Sequence, residues 1–128
     1  MKPLKPIRIY KASAGSGKTF TLAVEYITLL AVNPMAYQNI LAVTFTNKAT
    51  AEMKQRILST LYGISHGLKS AEAYVWNIME NIEAMKTLPQ WQEPEYKKAL
   101  EEFNRETLRA RTQEALENIV HDYSRFHI

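Results

Sequence analysis

Cysteine is absent from the 128 residues, which excludes disulfide scaffolds, thiolate metal sites and cysteine nucleophiles together. The same absence fits a reducing, cytoplasmic setting. Aspartate is almost absent, with Asp122 its one representative. Long apolar runs are missing too. The longest, residues 29–32 and 40–43, fall far short of the roughly 20 residues that cross a bilayer. Residues 1–11 are interrupted by Pro3 and Pro6 and lead into no apolar stretch of signal-peptide length. A soluble protein with no membrane partner is expected. Glycine is sparse as well, and two of the four glycines fall within residues 12–17.

What is present is ordinary globular material, 46% hydrophobic and 23% charged, enough for one domain. A single core of this size buries roughly 65–70% of the surface of the unfolded chain. Charge is unevenly placed. Residues 1–63 hold eight Lys/Arg against two acids, a balance of +6, and residues 64–128 hold eight against eleven, −3, which together give the net +3. A basic first half invites a polyanionic partner.

Residues 7–12 read as a short strand running into the small-residue cluster 12–17. From 18 to 32, Phe20, Ala23/Val24, Ile27 and Leu30/Ala31 recur at helical spacing, and Asn33-Pro34 stops that helix. Residues 39–45 form a near-continuous apolar run of the kind that suits a buried parallel strand. A second helix from about Lys48 places Met53, Ile57 and Leu61 on one face, with Gly63 as its C′ residue. Strand, loop, helix, strand and helix make a βαβ unit over residues 1–63. Residues 64–123 are helical in pattern: 71–86 behind Ser70 as N-cap, then 95–123 as one helix or as two meeting near Asn104–Thr107. Residues 124–128 have the alternation of a strand beginning at the end of the chain. The expected fold class is therefore α/β, with a parallel sheet of about three strands and a helical second half.

The decisive motif is Ala12-Ser13-Ala14-Gly15-Ser16-Gly17-Lys18-Thr19. It fits the phosphate-binding pattern G-x-x-x-x-G-K-[ST] with Ala12 in the first glycine position, between a predicted strand and a predicted helix. Small residues let successive backbone N–H groups turn towards phosphate oxygens, and the helix behind them aims its positive end at the same anion. Lys18 would reach the β- and γ-phosphates and the Thr19 hydroxyl would ligate Mg2+. A nucleoside phosphate is the expected ligand.

A second segment, Thr44-Phe45-Thr46-Asn47-Lys48 and onward to Arg56-Ile57, leaves the carboxyl end of the second predicted strand. Hydroxyls, an amide, a lysine and an aromatic ring gathered at a helix start can hold a nucleic-acid backbone and stack one base. Each also has a plainer reading: Thr46 or Asn47 as N-cap, Phe45 as a core aromatic, Glu52 and Arg56 as an i,i+4 ion pair.

The phosphate loop together with Ile40-Leu-Ala-Val-Thr-Phe-Thr-Asn-Lys-Ala49, Glu52-Met53 and Arg56-Ile57 resembles the amino terminus of the UvrD/Rep-type superfamily 1 DNA helicases, whose motif Ia the second segment matches. The opening Tyr10-Lys-Ala-Ser-Ala-Gly-Ser-Gly-Lys-Thr-Phe-Thr21 is more similar to the RecB/AddA helicase–nuclease branch. The resemblance is strong over residues 7–63 and 121–128. It implies an incomplete RecA-like P-loop NTPase domain, from an enzyme that uses ATP and Mg2+ to move along single-stranded DNA in repair and recombination. A nuclease domain and a partner subunit of the AddB/RecC kind belong to that branch. By position, Ala12, Ser13, Ala14, Gly15, Ser16, Gly17, Lys18, Thr19, Phe20 and Arg56 would serve the nucleotide, with Lys18 and Thr19 acting in catalysis. Phe45 would stack on DNA, with Thr46, Asn47 and Lys48 along its backbone.

Departures accompany the match. None of the eleven residues before Ala12 is the glutamine that reads adenine in UvrD-type proteins, and Phe20 stands where they carry an arginine. A helicase also needs an Asp-Glu pair at the end of a later strand, which this chain lacks. The expectation is the amino-terminal part of a motor, inactive alone and prone to self-associate through an uncovered strand edge. The alternative is a small stand-alone P-loop protein, a switch or a kinase. His66, His121 and His127 lack metal-ligand spacing and read as surface or capping residues. Arg105, Arg109 and Arg111 alternate with glutamates and read as a solvated helix face. Trp76 and Trp91 read as packing residues.

Overall fold

A computed structural model of the chain describes residues 7–9, 16–35, 37, 40–42, 47–88 and 94–126. In chain order the elements are β1 (Ile7–Ile9), α1 (Ser16–Val32), β2 (Ile40–Ala42), α2 (Asn47–Ser65), a 3-10 turn (Lys69–Ala71), α3 (Glu72–Met85), α4 (Pro94–Glu101), α5 (Arg105–His121) and a closing 3-10 turn (Tyr123–Arg125). β1 and β2 pair in parallel, Ile7 beside Ile40 and Ile9 beside Ala42.

The expected α/β domain built on about three parallel strands is corrected. Among the described residues the strands are two segments of three residues each, and the body is helical. Residues 124–126 begin no strand: Tyr123–Arg125 is a 3-10 turn, and Phe126 is fully buried behind it. The reason is packing. Apolar residues of the second half repeat at helical spacing, so they pair helix with helix, and six strand residues offer too little surface to cover α1.

α1 lies at the centre of that body. Its Leu22, Ala23, Val24, Tyr26, Ile27, Leu30, Ala31 and Val32 are all buried, which leaves Thr21 and Glu25 as its exposed positions among the described side chains. The periodic stripe is therefore one face of a helix covered nearly all round, by α2, α3, α4 and α5. Thr28, a polar side chain inside that cover, donates to the Val24 carbonyl at 2.7 Å and accepts from Asn81 at 3.3 Å. α1 stops before Pro34, where the Asn33 side chain accepts from the Met35 N–H at 3.0 Å. Met53, Ile57, Leu61 and Ile64 supply the buried stripe of α2, and Val75, Ile78, Ile82 and Met85 that of α3.

α2 does not end at Gly63. It runs to Ser65 and closes in a Schellman motif, with the Gly67 N–H on Ile64 O (3.1 Å) and the Leu68 N–H on Gly63 O (2.9 Å). The left-handed residue there is Gly67, at φ +67°. Gly63 serves packing instead. A Cβ on it would stand 3.1 Å from the Ala71 Cβ, so its bare backbone lets α2 approach the 3-10 turn.

The C-terminal helical stretch is two helices. Asn104 breaks it, its side chain accepting from the Thr107 N–H at 2.9 Å while Thr107 Oγ1 accepts from the Asn104 N–H at 3.3 Å, a reciprocal cap. The N-cap of α3 is Ala71, without a side-chain bond, and Ser70 does not serve. α5 buries a narrow line, Leu108, Thr112, Ala115 and Ile119. Of its arginines, Arg105 and Arg109 are exposed, as a solvated face requires, and Arg111 is half-buried, but two of the three also reach helix ends. Arg109 Nε donates to Ser65 O at 2.8 Å and Arg111 Nη1 to Val32 O at 3.1 Å, so two cations meet the carbonyl ends of α2 and α1. Arg105 pairs with Glu72 at 2.9 Å on the surface. Trp76 is 62% exposed and Val120 63%, so neither packs as its spacing suggests. Trp91 lies outside the described residues.

Candidate nucleotide and nucleic-acid site

β1 and β2 run side by side in one direction, so Ile9 and Ala42 end at the same edge. α1 follows β1 and α2 follows β2 in the chain, so each helix comes after a strand that ends at that edge. Ala12, Ser13, Ala14 and Gly15 lie outside the described residues, as do Phe45 and Thr46. The structure takes up the first motif at Ser16, where α1 begins, with Gly17, Lys18 and Thr19 in its first turn. It takes up the second at Asn47, where α2 begins, with Lys48 exposed in the first turn.

Neither helix carries an acid in its first turn. The first four N–H groups of a helix have no partner within it, and together with the macrodipole they favour an anion. An acidic side chain there would compete with a phosphate. Ser16, Gly17, Lys18 and Thr19 bring no acid and one lysine to that positive end, so the residue set suits a phosphate group.

Thr19 and Phe20 are half-buried. The Phe20 ring lies against Tyr74 of α3, with centroids 4.6 Å apart and planes tilted by 41°. Arg56, two turns into α2 and half-buried, donates from Nη1 to the Tyr74 hydroxyl at 3.1 Å. The i,i+4 pairing of Arg56 with Glu52 is thus replaced by a bond to another helix. Phe20 and Arg56, expected on separate segments of the site, touch the same side chain. Tyr74 is the functional candidate that sequence reading passes over. Its place in the α3 repeat marks it only as apolar, and nothing local tells that its hydroxyl meets α2.

Beside Arg56 a groove of about 630 Å³ opens between α2 and the turn before α3, with Glu52, Gln55, Ser59, Ala71 and Tyr74 among its walls. Asp122 is the C-cap residue of α5 and accepts from the Tyr37 hydroxyl at 3.2 Å. It anchors the buried Tyr37 to the end of α5. His66 takes its expected capping role at the end of α2. Its Nδ1 is 2.9 Å from Tyr62 O, and its ring stacks on Tyr62 at 3.9 Å. Among the described residues no three His, Asp or Glu gather closely enough to hold a metal ion, and no helix is long and apolar enough to cross a membrane.

RecB of the Escherichia coli RecBCD enzyme is 43% identical over 68 residues, covering 47% of this chain and 6% of that protein. DNA helicase II of Haemophilus influenzae is 56% identical over 50 residues, 39% of this chain and 7% of the relative. The ATP-dependent DNA helicase PcrA of Bacillus subtilis is 54% identical over 50 residues, with the same two shares. The matched stretches thus cover well under a tenth of the length of these three relatives. No solved structure matches it significantly. The model of the UvrD/REP helicase N-terminal domain matches residues 2–126. With a family match over nearly the whole chain, and helicases among its relatives, the chain belongs to the UvrD/REP helicase N-terminal domain family.

Proposed function

We propose that residues 12–19 cradle the phosphates of ATP and that the protein uses this site to drive movement along single-stranded DNA in the cytoplasm. Lys18 would hold the β- and γ-phosphates and Thr19 the Mg2+, which when bound neutralises charge on the transferred phosphoryl group. Ala12 to Thr19, Phe20 and Arg56 make up the nucleotide side. Phe45 would stack on a base, with Thr46, Asn47 and Lys48 along the strand. The supporting observation is the start of α1 at Ser16, immediately before the Gly-Lys-Thr run, with no acid in its first turn. Family membership adds the class of reaction.

These 128 residues are expected to bind without turning over. Their one aspartate caps the end of α5 and accepts a hydrogen bond from Tyr37. ADP with Mg2+ should bind weakly, with Kd on the order of 0.1–1 mM, or about −4 to −5.5 kcal/mol. An NMR titration checks this: Lys18→Ala should lose the shifts that wild type shows. Equal binding by the variant, or none by wild type, removes the phosphate-loop assignment. DNA-stimulated ATP turnover abolished by Lys18→Ala would show that these residues suffice for catalysis.

A further inference from the structure

We propose that Tyr74 is a positioning residue for the nucleotide site, holding the Arg56 guanidinium with its hydroxyl and the Phe20 ring with its face. The inference deepens the nucleotide reading of residues 12–20 and Arg56 and rests on it. It gives α3, an element outside both motifs, a part in that site.

Arg56 is a long, flexible side chain on the groove face of α2, and Tyr74 stands in the groove wall that another helix provides. An arginine has five N–H donors in a fixed fork. The bond from Nη1 to the Tyr74 hydroxyl, at 3.1 Å, occupies one of them and leaves the rest of the fork for an anion. Such a bond fixes the fork's direction before a ligand arrives, which lowers the ordering cost of binding. The i,i+4 carboxylate of Glu52 lines the same groove and leaves that orienting bond to Tyr74.

The other face of Tyr74 acts on the loop. Phe20 directly follows Thr19, and its ring rests on Tyr74 at 4.6 Å. A tilted aromatic contact of this kind fixes ring position and so the rotation of the first turn of α1, where Lys18 and Thr19 sit. Tyr74 is itself anchored, because its neighbours Val75 and Ile78 are buried in the core. One side chain therefore sets the distance between the lysine-bearing turn of α1 and the arginine of α2.

The test is a double-mutant cycle on the 128-residue chain, read by NMR titration with ADP and Mg2+ and by thermal melting. Tyr74→Phe keeps the ring and its packing and removes the hydroxyl alone. It should weaken ADP binding by about 3- to 10-fold, the effect of losing one ordinary hydrogen bond that orients Arg56, with little change in melting temperature. The side-chain N–H resonances of Arg56 should move in the free protein. In an Arg56→Ala background Tyr74→Phe should cost nothing further. Unchanged ADP affinity in Tyr74→Phe, or an equal loss in the Arg56→Ala background, overturns the proposal while leaving the phosphate loop standing. A wild-type chain that binds no ADP overturns the nucleotide reading and this inference together.

Discussion

Residues 1–63 and residues 64–126 divide the labour of this protein unequally. The first carries both motifs, a charge of +6 and both strands. The second carries no motif and an excess of acid, yet it supplies much of the scaffold. Leu108, Ala115 and Ile119 are buried in the core shared with α1 and α2, Arg109 and Arg111 meet the carbonyl ends of those helices, and Tyr74 holds Arg56. A short motif can specify ligand chemistry because backbone N–H groups and one lysine do most of the binding. It cannot by itself hold two helix starts at a working distance, which needs a packed body behind them.

The contrast can be broken first at its far end. Phe126 closes the second half, fully buried with its ring edge-on to Tyr26 at 5.9 Å and with Lys54 of α2 over it at 5.6 Å. Phe126→Ala should cost about 3–5 kcal/mol in urea unfolding, the range for emptying a buried aromatic site. A loss below about 1 kcal/mol would mean the segment is peripheral to the core.

In the first half, Phe45→Ala should weaken binding of single-stranded DNA by roughly 1–3 kcal/mol and leave the fold intact. Fluorescence anisotropy at several salt concentrations measures it, and unfolding of the variant would return Phe45 to the core. Arg111→Ala tests the reach of the second half into the first. Removing its bond to Val32 O should lower stability by about 1–2 kcal/mol without touching any ligand group. Chemical denaturation that finds no change would make the arginine a surface residue after all.

The smallest effect should have the opposite sign. The Tyr26 hydroxyl is buried with no hydrogen-bond partner among the described residues, and burial, with Tyr37 adding to it, pushes its pKa well above the ordinary phenol value. Because the raised pKa favours the neutral phenol, this group's contribution to stability changes only at strongly alkaline pH. Tyr26→Phe removes an unsatisfied group and should leave stability unchanged or raise it by up to about 1 kcal/mol. A clear loss on thermal melting would show that the hydroxyl has a partner.

Much of the helical layout was legible in the residues. Phe20 to Ala31, Met53 to Leu61 and Val75 to Met85 repeat at a period that only a helix satisfies, and Asn33-Pro34 had to end α1. Misread points share one cause. Gly63 and Gly67 are both glycines near a helix end, and local pattern does not distinguish a backbone that must approach Ala71 from one that must turn left-handed. Arg109 and Arg111 alternate with glutamates as solvated residues do, and their acceptors lie far away in the chain. Trp76 and Val120 have apolar character but sit where no described element covers them.

The sequence by itself determined the chemistry: a Gly-Lys-Thr run at a helix start, a basic first half and a motif Ia segment, each set by neighbours within a few residues. Only tertiary structure decided that α1 would be enclosed by helices instead of lying on a broad sheet. It also decided that Tyr74 would stand between Phe20 and Arg56. The physical reason is range. Backbone N–H groups, helix dipoles and caps act over one turn, so a local string records them, whereas burial and side-chain bonds between helices depend on which surfaces meet after the chain has folded.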